Sequence, residues 1–524
     1  MEKLEEIHGN NCVDLKMIPS DIGRLPLLKI LALTATFVEN VPELPQSLIS
    51  LCLSSRAVGK VPEIYNRVNL PSLRNLELCF GKDNDETFVY YESKRQPHAF
   101  SSLRMKLLNI TSVTSFGAWF HCARELELIQ CETLCQIQHL PSSLRKLKIR
   151  DCSLLEVVDL SNLENLLELS LLNNQNCHIQ GLEGLASLQC LKVYNCRSSK
   201  FNGLERLKNL RLLLLKMCPS LQTLSNLSNL KNLKEFKLWD CPKLVDIEVV
   251  DLSNLENLLE LSLINNEICD IQGLKGLALL QCLRVDNCKS SKFSGLERLK
   301  NLELLQLRMC WFLHTLPNLS NLENLEDFEL WYCPELIQIE GLDRLESLER
   351  LDIQCCSSLR SLHDVSHLRK QKKLRQIQQL PSGLRELKIS ECHLLEVVDL
   401  SNLENLLELS LINNEICDIQ GLEGLALLQC LRVDNCKSSK FSGLERLKNL
   451  ELLQLRMCWF LQTLPNFSNL ENLEDFELWY CPELVQIEGL DRLELLERLD
   501  ILCCSSLRSL PDLSHLKKLE MNWQ

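Results

Sequence analysis

The sequence predicts an α/β solenoid of leucine-rich repeats, and three observations carry that prediction. A template Leu-x-x-Leu-x-Leu-x-x-Cys/Asn returns at steps of mostly 20 to 25 residues, as in Leu144-Leu147-Ile149-Cys152, Leu210-Leu213-Leu215-Cys218, Leu325-Phe328-Leu330-Cys333 and Leu496-Leu499-Ile501-Cys504. Inside the template the fourth and sixth positions are two apart, the period at which a strand points both inward. The composition agrees: 45% of the 524 residues are hydrophobic but only 5% aromatic, so leucine supplies most of the apolar material.

A strand with its leucines inward turns the third, fifth and seventh positions outward. One repeat cannot cover its own leucines, each worth roughly 1.5–3 kcal/mol when buried, so neighbouring coils must stack. Return segments carry Ser-Asn-Leu-Glu at 161–164, 253–256, 320–323, 401–404 and 468–471, a capping-box pattern that predicts short helical turns. Such turns are wider than strands about 4.8 Å apart, so the stack is expected to bend into a horseshoe, with a parallel sheet on the concave face and helical or irregular turns on the convex one.

Residues 1–524 are expected to form one solenoid of about 22–23 repeats, starting inside a coil at Leu4 and stopping inside another at Gln524. An exposed apolar end-face is expected at both edges. Residues 251–368 match residues 399–516 with eight differences in 118 positions, an internal duplication. The polar stretch 81–100 reads as a loop insertion. The 36-residue step from Leu348 to Leu384 marks an irregular junction over 369–378.

The net charge of −13 disfavours nucleic acid as a partner. No export signal is visible at the start and no long uncharged apolar run occurs, which predicts a chain that does not enter a membrane and resides in the cytoplasm, or in cytoplasm and nucleus. Of the 27 cysteines, fifteen recur at the ninth position of the repeat, Cys152, Cys218, Cys333 and Cys504 among them, and read as reduced, small, buried side chains. They lack the close spacing of a zinc site. The two Gly-Lys pairs are followed by Val61 and Asp83, which excludes a P-loop, and neither a Gly-x-Ser-x-Gly elbow nor a His-Glu-x-x-His helix occurs. No catalytic residue, cofactor or metal is assigned, and the chain is read as a binding module and not an enzyme.

The outward positions supply the candidate site. Trp239, Trp331, Trp479 and Tyr194 fall at the seventh position, and Tyr332 and Tyr480 immediately follow two of the tryptophans. Around them on the same face fall Lys192, Lys237, Arg284, Arg308, Asp327, Glu329, Arg432, Arg456 and Glu477. Aromatics amid mixed charge suit a protein partner. The competing reading is that the rings pack on one another or on neighbouring stems. Trp311 and Trp459, just past the ninth position, read as rim or core.

Taken together, the chain resembles the leucine-rich-repeat region of plant intracellular nucleotide-binding immune receptors of the Toll/interleukin-1-receptor type, similar to flax rust-resistance proteins. The residues that carry the likeness are Ile18-Pro19-Ser20-Asp21-Ile22-Gly23-Arg24-Leu25 followed by Leu28-Lys29-Ile30-Leu31, then Leu140-Pro141-Ser142-Ser143-Leu144, Leu316-Pro317-Asn318-Leu319-Ser320-Asn321-Leu322, and the cysteine column. The resemblance implies recognition of a pathogen effector or a guarded host protein, and folding back on a nucleotide-binding domain that this sequence does not contain. A truncated disease-resistance receptor is the expected identity. The alternative is an intracellular signalling scaffold or the substrate receptor of a ubiquitin ligase.

Overall fold

The computed structural model describes residues 3–38, 41–55, 70, 72–80, 103–108, 123–131, 134–137, 140–198, 201–222, 224, 227–244, 250–266, 271–362, 376–377 and 380–523. The loop expected at 81–100 and most of the junction at 369–378 lie outside them. The chain divides into two compact units, Met1–Asp246 and Ile247–Gln524.

In unit 1 the inner strands run from Glu6–His8 through Ile30–Thr36, Ser50–Ser55, Asn75–Phe80, Leu103–Leu108, Ala123–Ile129, Lys146–Arg150, Glu168–Leu172, Cys190–Tyr194 and Leu212–Lys216 to Glu235–Trp239. Each pairs in parallel with the next. Unit 2 repeats the plan from Glu260–Ile264 to Glu520–Trp523, and there Arg350–Gln354 pairs directly with Glu386–Ser390. The register advances by one whole repeat per strand, so inward residues stack in columns such as Leu305, Phe328, Leu351 and Leu387. All four are fully buried, which makes each unit a leucine-rich-repeat solenoid. No helix among the described residues is long and apolar enough to cross a membrane.

The return segments form short 3-10 and irregular turns, but the capping-box serines begin a helical turn in only some of them. Ser-Asn-Leu-Glu forms turns at 161–164, 320–323 and 401–404, whereas around Ser468 a short 3-10 turn, Phe467–Asn469, forms and Asn466 caps it by accepting from Ser468 N. Asp159 accepts from Ser161 N at 3.0 Å, Asn318 from Ser320 N at 2.9 Å and Asp399 from Ser401 N at 3.1 Å, the local bond of an Asx turn. Short 3-10 turns also follow glycines, as at Leu182–Gly184 and Leu444–Arg446. Gly443 has φ of +93°, and a Cβ there would stand 2.6 Å from Glu423 N of the coil below, so only glycine fits. Where the return segment is β-branched, as in Val157–Asp159 and Val397–Asp399, it forms a second, outer row of parallel strands.

Immediately after the inner strands one residue turns left-handed, as at Asn173 (φ 57°), Asn195 (53°), Met309 (49°), Tyr332 (55°) and Tyr480 (55°). Its N–H donates to the last carbonyl of the next strand, for instance Met309 to Trp331 at 2.8 Å. The ninth-position cysteines follow, buried in every coil except at Cys12. Many of their thiols donate back to the carbonyl two residues earlier, as Cys152 does to Arg150 at 3.4 Å, while Cys196 and Cys436 donate to Cys177 O and Ile416 O of the preceding coil. At the last strand Met521 and Trp523 are exposed, and Leu4 is exposed ahead of the first strand.

Candidate functional site

The alternation of buried and half-exposed residues along the strands sets the site. In Asp327–Trp331, Phe328 and Leu330 are buried while Asp327, Glu329 and Trp331 look outward. The strand face of each unit is therefore a grid of three outward side chains per rung, with rungs about 4.8 Å apart.

In unit 1, Tyr194, Lys216 and Trp239 are consecutive rungs of one column. Lys216 Nζ lies 5.7 Å from the Tyr194 ring centre and 5.0 Å from that of Trp239. A cation sandwiched between two aromatic faces holds both rings in place. Lys216 belongs to this cluster although it was not among the candidates. The signal was present, since it occupies the seventh position of the coil between the two that were chosen. Lys192 and Lys237 share the middle column, one rung apart on either side of Leu214, and Lys237 pairs with Glu235 at 2.9 Å.

Unit 2 holds the other candidates. Arg308 stacks on Trp331, its guanidinium carbon 3.8 Å from the ring centre, and also binds Glu329 at 2.6 Å. Arg456 does the same to Trp479 at 3.9 Å and to Glu477 at 2.5 Å. Arg284 is held by Glu260 at 2.8 Å, and Arg432 is the outward neighbour of Gln454 on the next rung. The tryptophans are half-buried on their arginines, outward but packed, so each of the two sequence readings describes part of them.

Two expectations need correction. Glu477 is buried, with only 2% of its surface exposed, because Arg456 and Arg498 both close over it. Its counterpart Glu329 stays more open because Arg350 turns away to Glu386 of the following strand, at 2.9 Å. Tyr332 and Tyr480 do not lie on the strand face. The left-handed turn swings them onto its C-terminal rim, where each meets the tryptophan of the preceding coil: Trp311 at 6.5 Å and Trp459 at 6.4 Å between ring centres. Charge on the strand faces is mixed in both units, with Glu6, Glu77, Glu125 and Glu127 outward on the earlier strands of unit 1, and the balance varies along the chain. Outward positions on the five strands from Lys146 to Trp239 carry six bases and two acids. Those on the strands from Glu260 to Leu502 carry eleven acids and seven bases.

Burial sets the acidity of several carboxyls on this face. Burial raises the Asp327 carboxyl above its ordinary value, and Arg350 offsets this only in part. Burial raises Asp352, Asp434 and Asp475 likewise. Glu386 is lowered: burial works against its ionised form, but Lys388 and Arg350 outweigh it.

No family model matches the chain. None of the curated proteins matches it in sequence. Solved structures of similar fold include a leucine-rich-repeat protein of Leptospira interrogans, 19% identical over 78% of this chain and 89% of that one, with a TM-score of 0.49. The functional domain of InlJ from Listeria monocytogenes, which includes a cysteine ladder, is 16% identical over 72% of each chain, with a TM-score of 0.49. A plant peptide hormone receptor, RGFR1 in complex with RGF2, is 15% identical over 99% of this chain and 91% of that one, with a TM-score of 0.42.

Proposed function

We propose that the chain is a protein-recognition module of plant innate immunity, part of a disease-resistance receptor, that captures a pathogen effector or a guarded host protein on its strand faces. The observation that carries the recognition reading is the stacking of Arg308 on Trp331 and of Arg456 on Trp479. Aromatic rings fixed beforehand on a rigid ladder lose little conformational freedom on binding, and tryptophan and arginine are the residues that anchor protein interfaces most often. The immune assignment is supported by the likeness of Ile18–Leu25 and the cysteine column to intracellular plant receptors.

The test is a binary interaction screen of the full chain against secreted proteins of plant pathogens and against host proteins. Partners should be lost with Lys216→Glu in unit 1 or Trp331→Ala and Trp479→Ala in unit 2. They should be kept with Glu346→Ala, an exposed return-segment control. Partners indifferent to every strand-face change would overturn the recognition reading, and partners drawn only from non-immune housekeeping proteins would overturn the immune one.

A further inference from the structure

Within unit 2 the same surface is built twice. Of the eight differences between residues 251–368 and 399–516, only Gln354 against Leu502 falls at an outward position of an inner strand. The geometry repeats accordingly: the Trp311 and Tyr332 rings meet at 44°, those of Trp459 and Tyr480 at 43°. Phe312 and Phe460 lie beside them, about half exposed, as are the four paired rings.

These rims are costly. Met309 and Tyr332, and again Met457 and Tyr480, place bulky side chains at left-handed positions that many other coils give to asparagine. The strain is not repaid by burial, since all four side chains remain exposed. Backbone strain without a packing return is a mark of a functional surface.

The opposite edge of the same strands is acidic. Glu303, Glu326 and Glu349 precede successive strands, stacked by backbone bonds of 2.9 Å, and Glu451, Glu474 and Glu497 repeat the row with bonds of 2.9 and 2.8 Å. All six are exposed. Like charges on adjacent rungs repel. Arg385 and Lys518 reach only the last member of each row, at 3.7 and 3.6 Å. In unit 1 the same edge carries Arg145, Arg211 and Lys234, and in unit 2 Arg385 lies between the two rows, so acidity belongs to these two triplets and not to this position in the repeat.

We propose that unit 2 is a bivalent acceptor for a basic partner: each aromatic rim, with the acids of its strands, takes one Lys/Arg-rich segment carrying an apolar anchor, and the partner presents that segment twice. This rests on the protein-recognition reading. Charge complementarity selects the segment and speeds its arrival. The strands Asp327–Trp331 and Asp475–Trp479 are six pairing steps apart, about 29 Å at about 4.8 Å per step. That is close to the width of a small domain, a span that one dimeric or tandem-repeat partner covers.

The experiment uses the full chain and a display library of random twelve-residue peptides. Recovered binders should be net positive with an aromatic or leucine anchor, and calorimetry should count two peptides per chain. Trp459→Ala should leave one site, and Trp311→Ala with Trp459→Ala should leave none. Glu326→Lys with Glu474→Lys should act like the double aromatic variant, which keeps the test valid if the ring changes disturb folding. Two copies of the peptide joined by a linker spanning about 29 Å should bind at least roughly 100-fold tighter than one, and either single variant should abolish the gain. One peptide per chain, no gain from linking, or acidic binders would overturn the proposal. So would salt-sensitive dimerisation of the chain alone, which would assign the surface to a second copy. A single bound peptide that still depends on the strand face would leave protein recognition standing, whereas no strand-dependent binder at all would remove both.

Discussion

Arg308 lays its guanidinium flat over Trp331 and at the same time binds Glu329, and 148 residues later Arg456, Trp479 and Glu477 repeat the arrangement. The arginine is thus used twice, as a cation on a ring and as a donor to a carboxylate. Lysine is a point charge without the planar surface and cannot do both equally well. Arg308→Lys should lower stability by roughly 1 kcal/mol, the size of a partly desolvated cation–π contact. Trp331→Phe, which keeps a ring under the cation, should cost less. Chemical denaturation decides this, and equal midpoints for wild type and Arg308→Lys would show the stacking to be energetically idle.

Asn414 offers a second test. Its side chain accepts from Cys392 N at 3.0 Å and donates to Ile389 O at 2.6 Å, in a site only 1% exposed. Asn414→Ala leaves a buried N–H and a buried C=O without partners, at a cost of about 1–3 kcal/mol for each group. Asn414→Cys should cost less, because cysteine fills the same position in most other coils and its thiol can bond the turning backbone. Hydrogen exchange should show the damage confined to the adjoining coils, since stability in a stacked array is set by nearest neighbours. Uniform loss of protection across unit 2 would contradict that.

The inward columns and the strand face were legible because they depend only on a period of two inside a period near 23, and both periods are in the sequence. Tyr332 was misplaced because the template fixes which residue follows the strand but not its φ. Glu477 was misplaced because its burial depends on Arg498, whose choice of partner is set by the strand that happens to follow. Lys216 is legible in the sequence, at the seventh position of the coil between Tyr194 and Trp239. The outer strands at Val157–Asp159 and Val397–Asp399 are hidden by their shortness, three residues each whose sequence shows no alternation. The turns at Ser161 and Ser320 were misread because a serine three residues before a glutamate also fits an Asx turn begun two residues earlier.

The left-handed positions predict an inverse relation between stability and binding. Met457 has φ of 50° and an exposed side chain, so Met457→Asn removes strain and little packing. A gain of about 0.5–1 kcal/mol is expected, part of the left-handed penalty of an ordinary side chain. The same change should weaken any ligand seated on the Trp459–Tyr480 rim. Thermal denaturation and binding measured on one preparation test both halves, and a variant that loses stability would remove the argument from strain.

Asp434 links the acidic face to pH. Burial raises its carboxyl above the ordinary 3.8, and Arg456 counters this only in part. Below 3.8 the carboxyl is protonated in both folded and unfolded chains and contributes nothing to the difference between them. As the pH rises past 3.8 the unfolded chain ionises freely while the folded one resists, so stability is lost, and the loss is complete once the pH exceeds the raised folded value. Asp434→Asn should therefore raise the thermal midpoint at pH 7, and the advantage should shrink to nothing as the pH is lowered to about 3.8. Glu386, which Lys388 and Arg350 hold low, must behave in the opposite sense: its contribution is present above 4.5 and lost as the pH falls through its lowered value. Glu386→Gln should accordingly destabilise at pH 7 and become neutral in strong acid. If both substitutions moved the midpoint in the same direction at pH 7, the contrast between an acid penalised by burial and an acid held by two cations would fail.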